Sequence, residues 1–203
     1  MHILGNSHPA VVKFVEYVED QCDIHNVKLD IRNTKYIWCN GARVSGFFEE
    51  GEPATLRVSG KHTMALEIFI HEYSHMTQWL DKNSIWYEDS LDHNKLAPWL
   101  AGKRVHHIND IIDEIRDLEV DNEKRTVKLM KKFKLPIDIK AYIKQANAYM
   151  FFHEHLKNTR RWSTPKNSPY KNKRITNAMP DRFVRDYTTY FEKVRHIYEE
   201  ENI

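Results

Sequence analysis

Cysteine is almost missing from this chain of 203 residues, with only Cys22 and Cys39 present. Two cysteines cannot build a disulfide framework, so two ordinary semi-buried thiols are expected. Long apolar runs are missing as well. No stretch of about 18 apolar residues occurs, which excludes a transmembrane helix of the usual kind. The opening residues, MHILGNSHPAVVKF, lack the basic start, apolar run and small-residue cleavage site of a secretory leader. The expected compartment is therefore the cytoplasm. Strong charge of one sign is also lacking. Thirty-one Lys and Arg against 29 Asp and Glu leave a net charge of +2, too little for a global field that would draw the chain to nucleic acid or a membrane.

What is present suffices for a core. Hydrophobic residues make up 41%, including five Trp, nine Phe and ten Tyr, and the length suits one domain spanning residues 1–203. Pro9 followed by VVKFVEYVEDQC reads as an amphipathic helix with Pro in its first turn. The runs VKLDIR, KYIWC, RVSGFF and ATLRV, between residues 27 and 59, read as short strands of a small, mostly antiparallel sheet. Asn40-Gly41 is a hairpin signal within it. Residues 62–80, HTMALEIFIHEYSHMTQWL, read as a helix apolar on nearly every side, hence buried. After an irregular stretch over 81–103, helical patterns return at His106–Lys134, at IDIKAYIKQANAYMFFHEHL and at DRFVRDYTTYFEKVRHIYEE. The class is α+β: helix, sheet and buried helix over residues 1–80, then a mainly helical part over 81–203.

His71-Glu72-Tyr73-Ser74-His75 is the sharpest chemical feature. Residues four apart share a helix face, so the two imidazoles can grip one zinc ion at about 2.0–2.1 Å each. Glu72, offset by about 100°, can reach a water on the metal without ligating it. Zinc brings such a water towards a pKa of about 7, and a neighbouring carboxylate can take its proton. With 12 His in the chain, so short a pattern can also arise by accident. Against that, a buried helix does not tolerate two His and a Glu without partners.

Catalytic zinc usually has a third protein ligand. Between His106 and Lys134, Ile108, Ile111, Ile112, Ile115, Thr126, Leu129, Met130 and Phe133 form one stripe at about 100° per residue. Glu119 falls within about 20° of the centre of that stripe, whereas Asp110, Asp113, Glu114, Asp117 and Asp121 point away. A carboxylate in a core face needs a cation, which makes Glu119 the candidate third ligand and Glu123 the runner-up. A buried Arg43 or Arg57 beside Glu119 is the alternative. One turn on, Glu123 can accept a hydrogen bond from a ligand His and fix its tautomer, or serve as a surface partner of Lys124 or Lys128.

With these residues in place, the chain resembles the zincin metallopeptidases of the glutamate-ligand type. In that family the HExxH helix is followed by a helix bearing a Glu, often as ExxxD. Here the match is Glu119-Val120-Asp121-Asn122-Glu123, with Glu in place of the final Asp. HEYSHMTQW, LEVDNEKRTV and KQANAYMFF together resemble small metallopeptidases encoded by tailed bacteriophages. The resemblance implies a zincin-like fold, a zinc ion, the host cytoplasm as location and no particular substrate. It further implies an edge strand that takes an extended peptide by strand addition, for which ATLRV and RVSGFF are both eligible.

Other residues carry weaker signals. His106-His107 either cap a helix or offer an oxyanion donor. Tyr142 and Tyr149 either pack or donate to a tetrahedral intermediate. His153-Glu154-His155 is no second metal motif, because i and i+2 diverge on a helix. Residues 157–174 hold seven basic residues and no acid, with Trp162 and Tyr170 among them; they read as a solvated loop or as a phosphate- and base-binding segment. Trp86-Tyr87 and Pro98-Trp99 read as packing or as a pocket wall. Three functions remain open: a zinc endopeptidase acting on a cytoplasmic protein, a zinc-containing binding or structural protein without peptidase activity, and a nucleic-acid-associated protein using residues 157–174.

Overall fold

The structure, a computed structural model, describes residues 8–39, 41–82, 92–164 and 166–203. The chain is α+β, with its strands in the N-terminal half and mostly helices after them. It divides into two compact units. One comprises Met1–Asn83 with Arg125–Ile137, and the other Ser84–Lys124 with Asp138–Ile203. No helix among the described residues is long and apolar enough to cross a membrane.

In the first unit, α1 (Pro9–Ile24) begins at His8, whose ring accepts from the Ala10 N–H, and Pro9 occupies its first turn. It buries Val11, Phe14, Val15, Val18 and Cys22. Strands β1 (Lys28–Arg32), β5 (Thr55–Ser59) and β4 (Gly46–Glu49) lie side by side in that order. β4 and β5 are antiparallel, but β1 runs parallel to β5. β2 (Ile37–Cys39) and β3 (Ala42–Val44) form a separate antiparallel hairpin, so the strands make two small sheets. Of the Asn40-Gly41 turn signal, Asn40 lies outside the described residues; Gly41 has a φ of +79°, a conformation suited to glycine.

α2 (Ala65–Leu80) packs on this sheet and buries Leu66, Phe69, Ile70, Tyr73 and Met76. An aromatic cluster joins the helices of the unit. Phe14 meets Phe69, Tyr73 and Phe133 edge-on at 5.0–6.1 Å between centroids, and Tyr17 meets Tyr73. Edge-to-face pairs of this kind add about 0.5–1.5 kcal/mol each beyond their burial. The Cys22 thiol points at the Met76 sulfur, 3.9 Å away, and burial raises its pKa to about 12. It is an inert core group. Cys39 is half-buried, and both cysteines are free.

α4 (Ile108–Phe133) is one continuous helix whose residues from Arg125 onward belong to the first unit. There the hydroxyl of Thr126 donates to Ser74 Oγ at 2.9 Å, and Ser74 Oγ donates to the Ile70 carbonyl at 2.8 Å. Arg125 reaches Thr77 Oγ1 and Asp81 from the same segment.

The second unit centres on α5 (Ile139–Thr159), started by Asp138, whose carboxylate accepts from the Lys140 and Ala141 N–H groups. α5 is buried along most of its length, packing Met150, Phe151, Phe152 and Leu156 against Trp99, Ile112, Ile175, Tyr187, Phe191 and Tyr198. A short α3 (Leu96–Leu100) lies within the stretch expected to be irregular, and α6 (Lys173–Ala178) within the basic segment. The expected final helix over 181–200 is instead two short helices, α7 (Tyr187–Phe191) and α8 (Arg195–Glu200). Asp186 explains the late start. Its carboxylate accepts from the Thr189 N–H and the Thr189 hydroxyl, capping α7 there and leaving the preceding residues out.

Candidate metal centre

His71, Glu72 and His75 lie in the second half of α2, each half-buried. The helix brings the two imidazoles to one face, and their Nε2 atoms stand 3.2 Å apart. Two nitrogens bound at about 2.0–2.1 Å to one tetrahedral ion would be separated by roughly 3.3 Å. On the far side of the His75 ring, Nδ1 lies 2.9 Å from Gln78 Oε1. That oxygen can only accept, so Nδ1 carries the proton and Nε2 keeps a lone pair. Burial first, then the neighbouring His71 ring, push the His75 pKa down to about 3, against a smaller opposing effect of Gln78. The imidazole is neutral at physiological pH, the state in which it ligates a metal. A completely buried Gln78 thus fixes the His75 tautomer, as partners of metal-binding histidines commonly do.

Glu72 is set by the sheet. The backbone of Gly46, first residue of β4, passes so close to α2 that a Cβ there would lie 2.9 Å from Glu72 Cγ and 3.1 Å from its Oε1, and 2.6 Å from Ile68 Cγ2. Only glycine admits this approach. β4 is therefore both the strand against the Glu72 side chain and, among the described residues, an outermost strand of its sheet. Of the two eligible segments, RVSGFF supplies this outermost strand, whereas ATLRV forms the central β5.

Glu119 and Glu123 lie two turns and one turn before Thr126 on α4. One donor atom each from His71, His75 and Glu119 lies within 4.8 Å of the others, a group of the kind that could hold a metal ion. Two imidazole nitrogens and one carboxylate oxygen are a suitable donor set for a divalent transition metal. The side chains offered as alternatives for Glu119 are engaged elsewhere. Arg57 Nε donates to Asp30 at 2.8 Å, and Arg43 lies over the Trp38 ring at 5.3 Å. Glu123 is buried, not a surface partner of lysines, and accepts a 2.5 Å hydrogen bond from the Tyr142 hydroxyl. Tyr149 sits near enough to Glu119 for that charge to add to the burial that raises its phenol pKa.

The remaining candidates have surroundings of their own. His106 and His107 are exposed at the start of α4, with His107 Nδ1 3.2 Å from Asp110. His153 and His155 have separate surroundings, as i and i+2 require. His153 sits among Tyr149, Phe152 and Trp162, and His155 Nε2 donates to the Ile203 carbonyl. In the basic segment, Trp162 packs edge-on against Phe152, and Tyr170 against Tyr149. Trp99 is buried beneath the Arg160 guanidinium, while Trp86 and Tyr87 lie outside the described residues.

Sequence reasoning missed Gln78 and Gly46. The signal for Gln78 was a polar residue one turn after a ligand His on a helix otherwise read as buried. The signal for Gly46 was an isolated glycine inside a strand pattern. No protein-family model, curated protein or solved structure matches the chain.

Proposed function

We propose that the protein is a zinc-dependent peptidase in which His71, His75 and Glu119 hold the metal and Glu72 is the general base. The observation that carries this reading is the imidazole pair: two Nε2 atoms at 3.2 Å, with the His75 proton held on Nδ1 by Gln78. That arrangement offers a lone pair where a metal needs one. Bound zinc supplies Lewis acidity, polarising a scissile carbonyl and acidifying a water.

The chain's own groups then have separable tasks. His71 and His75 present neutral imidazole nitrogens from one helix face. Glu119 contributes the anionic oxygen that offsets the charge of the cation. Glu72 takes the proton of the attacking water on a carboxylate oxygen and returns it to the leaving amine. Gly46 keeps the backbone of β4 against Glu72, and an extended peptide added to the outer edge of β4 would bring its carbonyls to that carboxylate. Glu123, held by the Tyr142 hydroxyl, is a positioning group for the ligand set.

Elemental analysis of the purified protein tests the metal centre. About one zinc per chain is expected, lost in both His75→Ala and Glu119→Ala. Retention in Glu119→Ala would move the third ligand elsewhere. No metal after reconstitution of a folded protein would end the reading. Glu72→Gln should keep its zinc and release no new amino termini from a library of unstructured peptides; cleavage equal to that of the unaltered protein would remove Glu72 from its role.

A further inference from the structure

The β2–β3 hairpin carries a surface that the metal centre does not use. On β2, Ile37 is buried and Trp38 is 64% exposed; Tyr36, just before the strand, is 54% exposed with its ring edge-on to His62 at 6.0 Å. Such exposure is large for rings of this size. Arg43 is the register partner of Trp38 across the hairpin, and its guanidinium lies over the indole at 5.3 Å. The Lys61 N–H donates to the Thr34 carbonyl, tying Lys61 to the turn that carries Lys35 and Tyr36. Among the described residues, none of Lys35, Arg43 or Lys61 has a carboxylate within 4 Å. The segment from Ile31 to Phe48 contains no acid at all. Asp30 just before it is held by Arg32 and Arg57.

We propose that this face binds single-stranded nucleic acid. Two exposed rings two residues apart, one on β2 and one just before it, stand roughly 6.6 Å from each other if extended. Arg43 lies over one of them, and Lys35 and Lys61 are beside them in the chain and its hydrogen bonding. An acidic polypeptide would satisfy the cations and leave the rings bare. A duplex would offer phosphates but keep its bases stacked inside. A single strand presents both a regular row of anions and flat, unstacked faces for Trp38 and Tyr36. The proposed contact uses neither zinc nor the Glu72 carboxylate as a binding group.

The test uses the full-length protein and a fluorescently labelled oligothymidylate. Binding should weaken with salt at a log–log slope of roughly 2, as about three phosphate contacts require at about 0.7 each. Trp38→Ala should lower affinity about 5- to 150-fold, the worth of one stacked base, and Trp38→Phe should recover most of it. Lys35→Ala with Lys61→Ala should flatten the salt slope without abolishing the Trp38 effect. Equal affinity of Trp38→Ala, absence of binding at low salt, or equal binding of a duplex of the same length would each overturn the proposal. So would polyglutamate binding with the same Trp38 dependence, which would make an acidic polypeptide the occupant. A circular dichroism spectrum of each variant separates loss of binding from loss of fold.

Discussion

Gly46→Ala is the most direct probe of the way the sheet and α2 build the candidate site. The added methyl would lie 2.6 Å from Ile68 Cγ2 and 2.9 Å from Glu72 Cγ, where ordinary contact begins at 3.4 Å. The shortfalls are 3.4 − 2.6 = 0.8 Å and 3.4 − 2.9 = 0.5 Å. Ile68 cannot easily yield, because a β-branched side chain on a helix is confined to essentially one χ1 rotamer. Glu72 or the strand itself must then move. Overpacking of this size costs about 1–3 kcal/mol, readable as a fall in unfolding free energy by urea titration. Metal content, under the proposed function, should be unchanged, because the clash does not involve either histidine. Under the proposed function, displacing Glu72 by the better part of an ångström should lower the hydrolytic rate by about 100-fold. A variant whose stability stays within about 0.5 kcal/mol of the unaltered protein would refute the close approach. One that is destabilised yet hydrolyses normally would refute the part assigned to Glu72.

Gln78→Leu keeps the volume but removes the acceptor of the His75 proton, and zinc affinity measured by competition with a chelator should fall about 10- to 100-fold; unchanged affinity would show that Gln78 does not set the tautomer. Ser74→Ala strands the buried Thr126 hydroxyl and should cost about 1–3 kcal/mol in urea unfolding, part of which a second change, Thr126→Val, should restore. His153, wholly buried with Nδ1 donating to the Tyr149 carbonyl and Nε2 without a hydrogen-bond partner, has its pKa pushed from the ordinary 6.5 down to about 4, chiefly by burial. The unfolded chain takes up the proton first, so its stability contribution is intact above about pH 6.5 and is lost as pH falls towards 4. Between pH 7 and pH 5 the protein should lose about 2 kcal/mol that His153→Phe does not lose, and parallel pH profiles in urea would contradict this.

The pairing of the two imidazoles was legible because it is local. HEYSH needs only the pitch of a helix to place two imidazoles together, and the α4 stripe needs only the same pitch to bring Glu119 to its middle. The strands and most helices were legible for the same reason, being written in period and punctuation. Pairing was not. That β1 lies parallel to β5 depends on which edges meet after the chain has turned, and no run of residues encodes it by itself. Buried charge in the second unit was not legible. Arg116 and Glu154 look like surface residues in sequence, yet they are 8% and 4% exposed and bonded to each other, with Asp113, Asp117 and Lys157 around them. Burial of such a set is decided by mutual satisfaction, which periodicity does not see. In residues 157–174, Trp162 and Tyr170 each meet a ring of α5 edge-on yet stay 40% and 36% exposed.

The polar residues of α2 other than His71 and His75 follow from what an apolar contact cannot do. Leucine-like packing of α4 on α2 would tolerate small slips of one helix along the other, since apolar contacts have no direction. The Thr126–Ser74 hydrogen bond has direction, and it is buried, so breaking it leaves a hydroxyl unsatisfied at about 1–3 kcal/mol. Arg125 adds a second fixed point one turn along α2, at Thr77. Ser74 immediately precedes His75, and Thr126 follows Glu123 and Glu119 at helical spacings of three and seven. The bond that sets the register of the Arg125–Phe133 part of α4 on α2 is therefore placed next to His75, whose Nδ1 faces Gln78. Under the proposed function, the metal-holding side chains would need that register held to a fraction of an ångström. Two buried hydroxyls in place of two methyls give the contact a direction that apolar packing alone lacks.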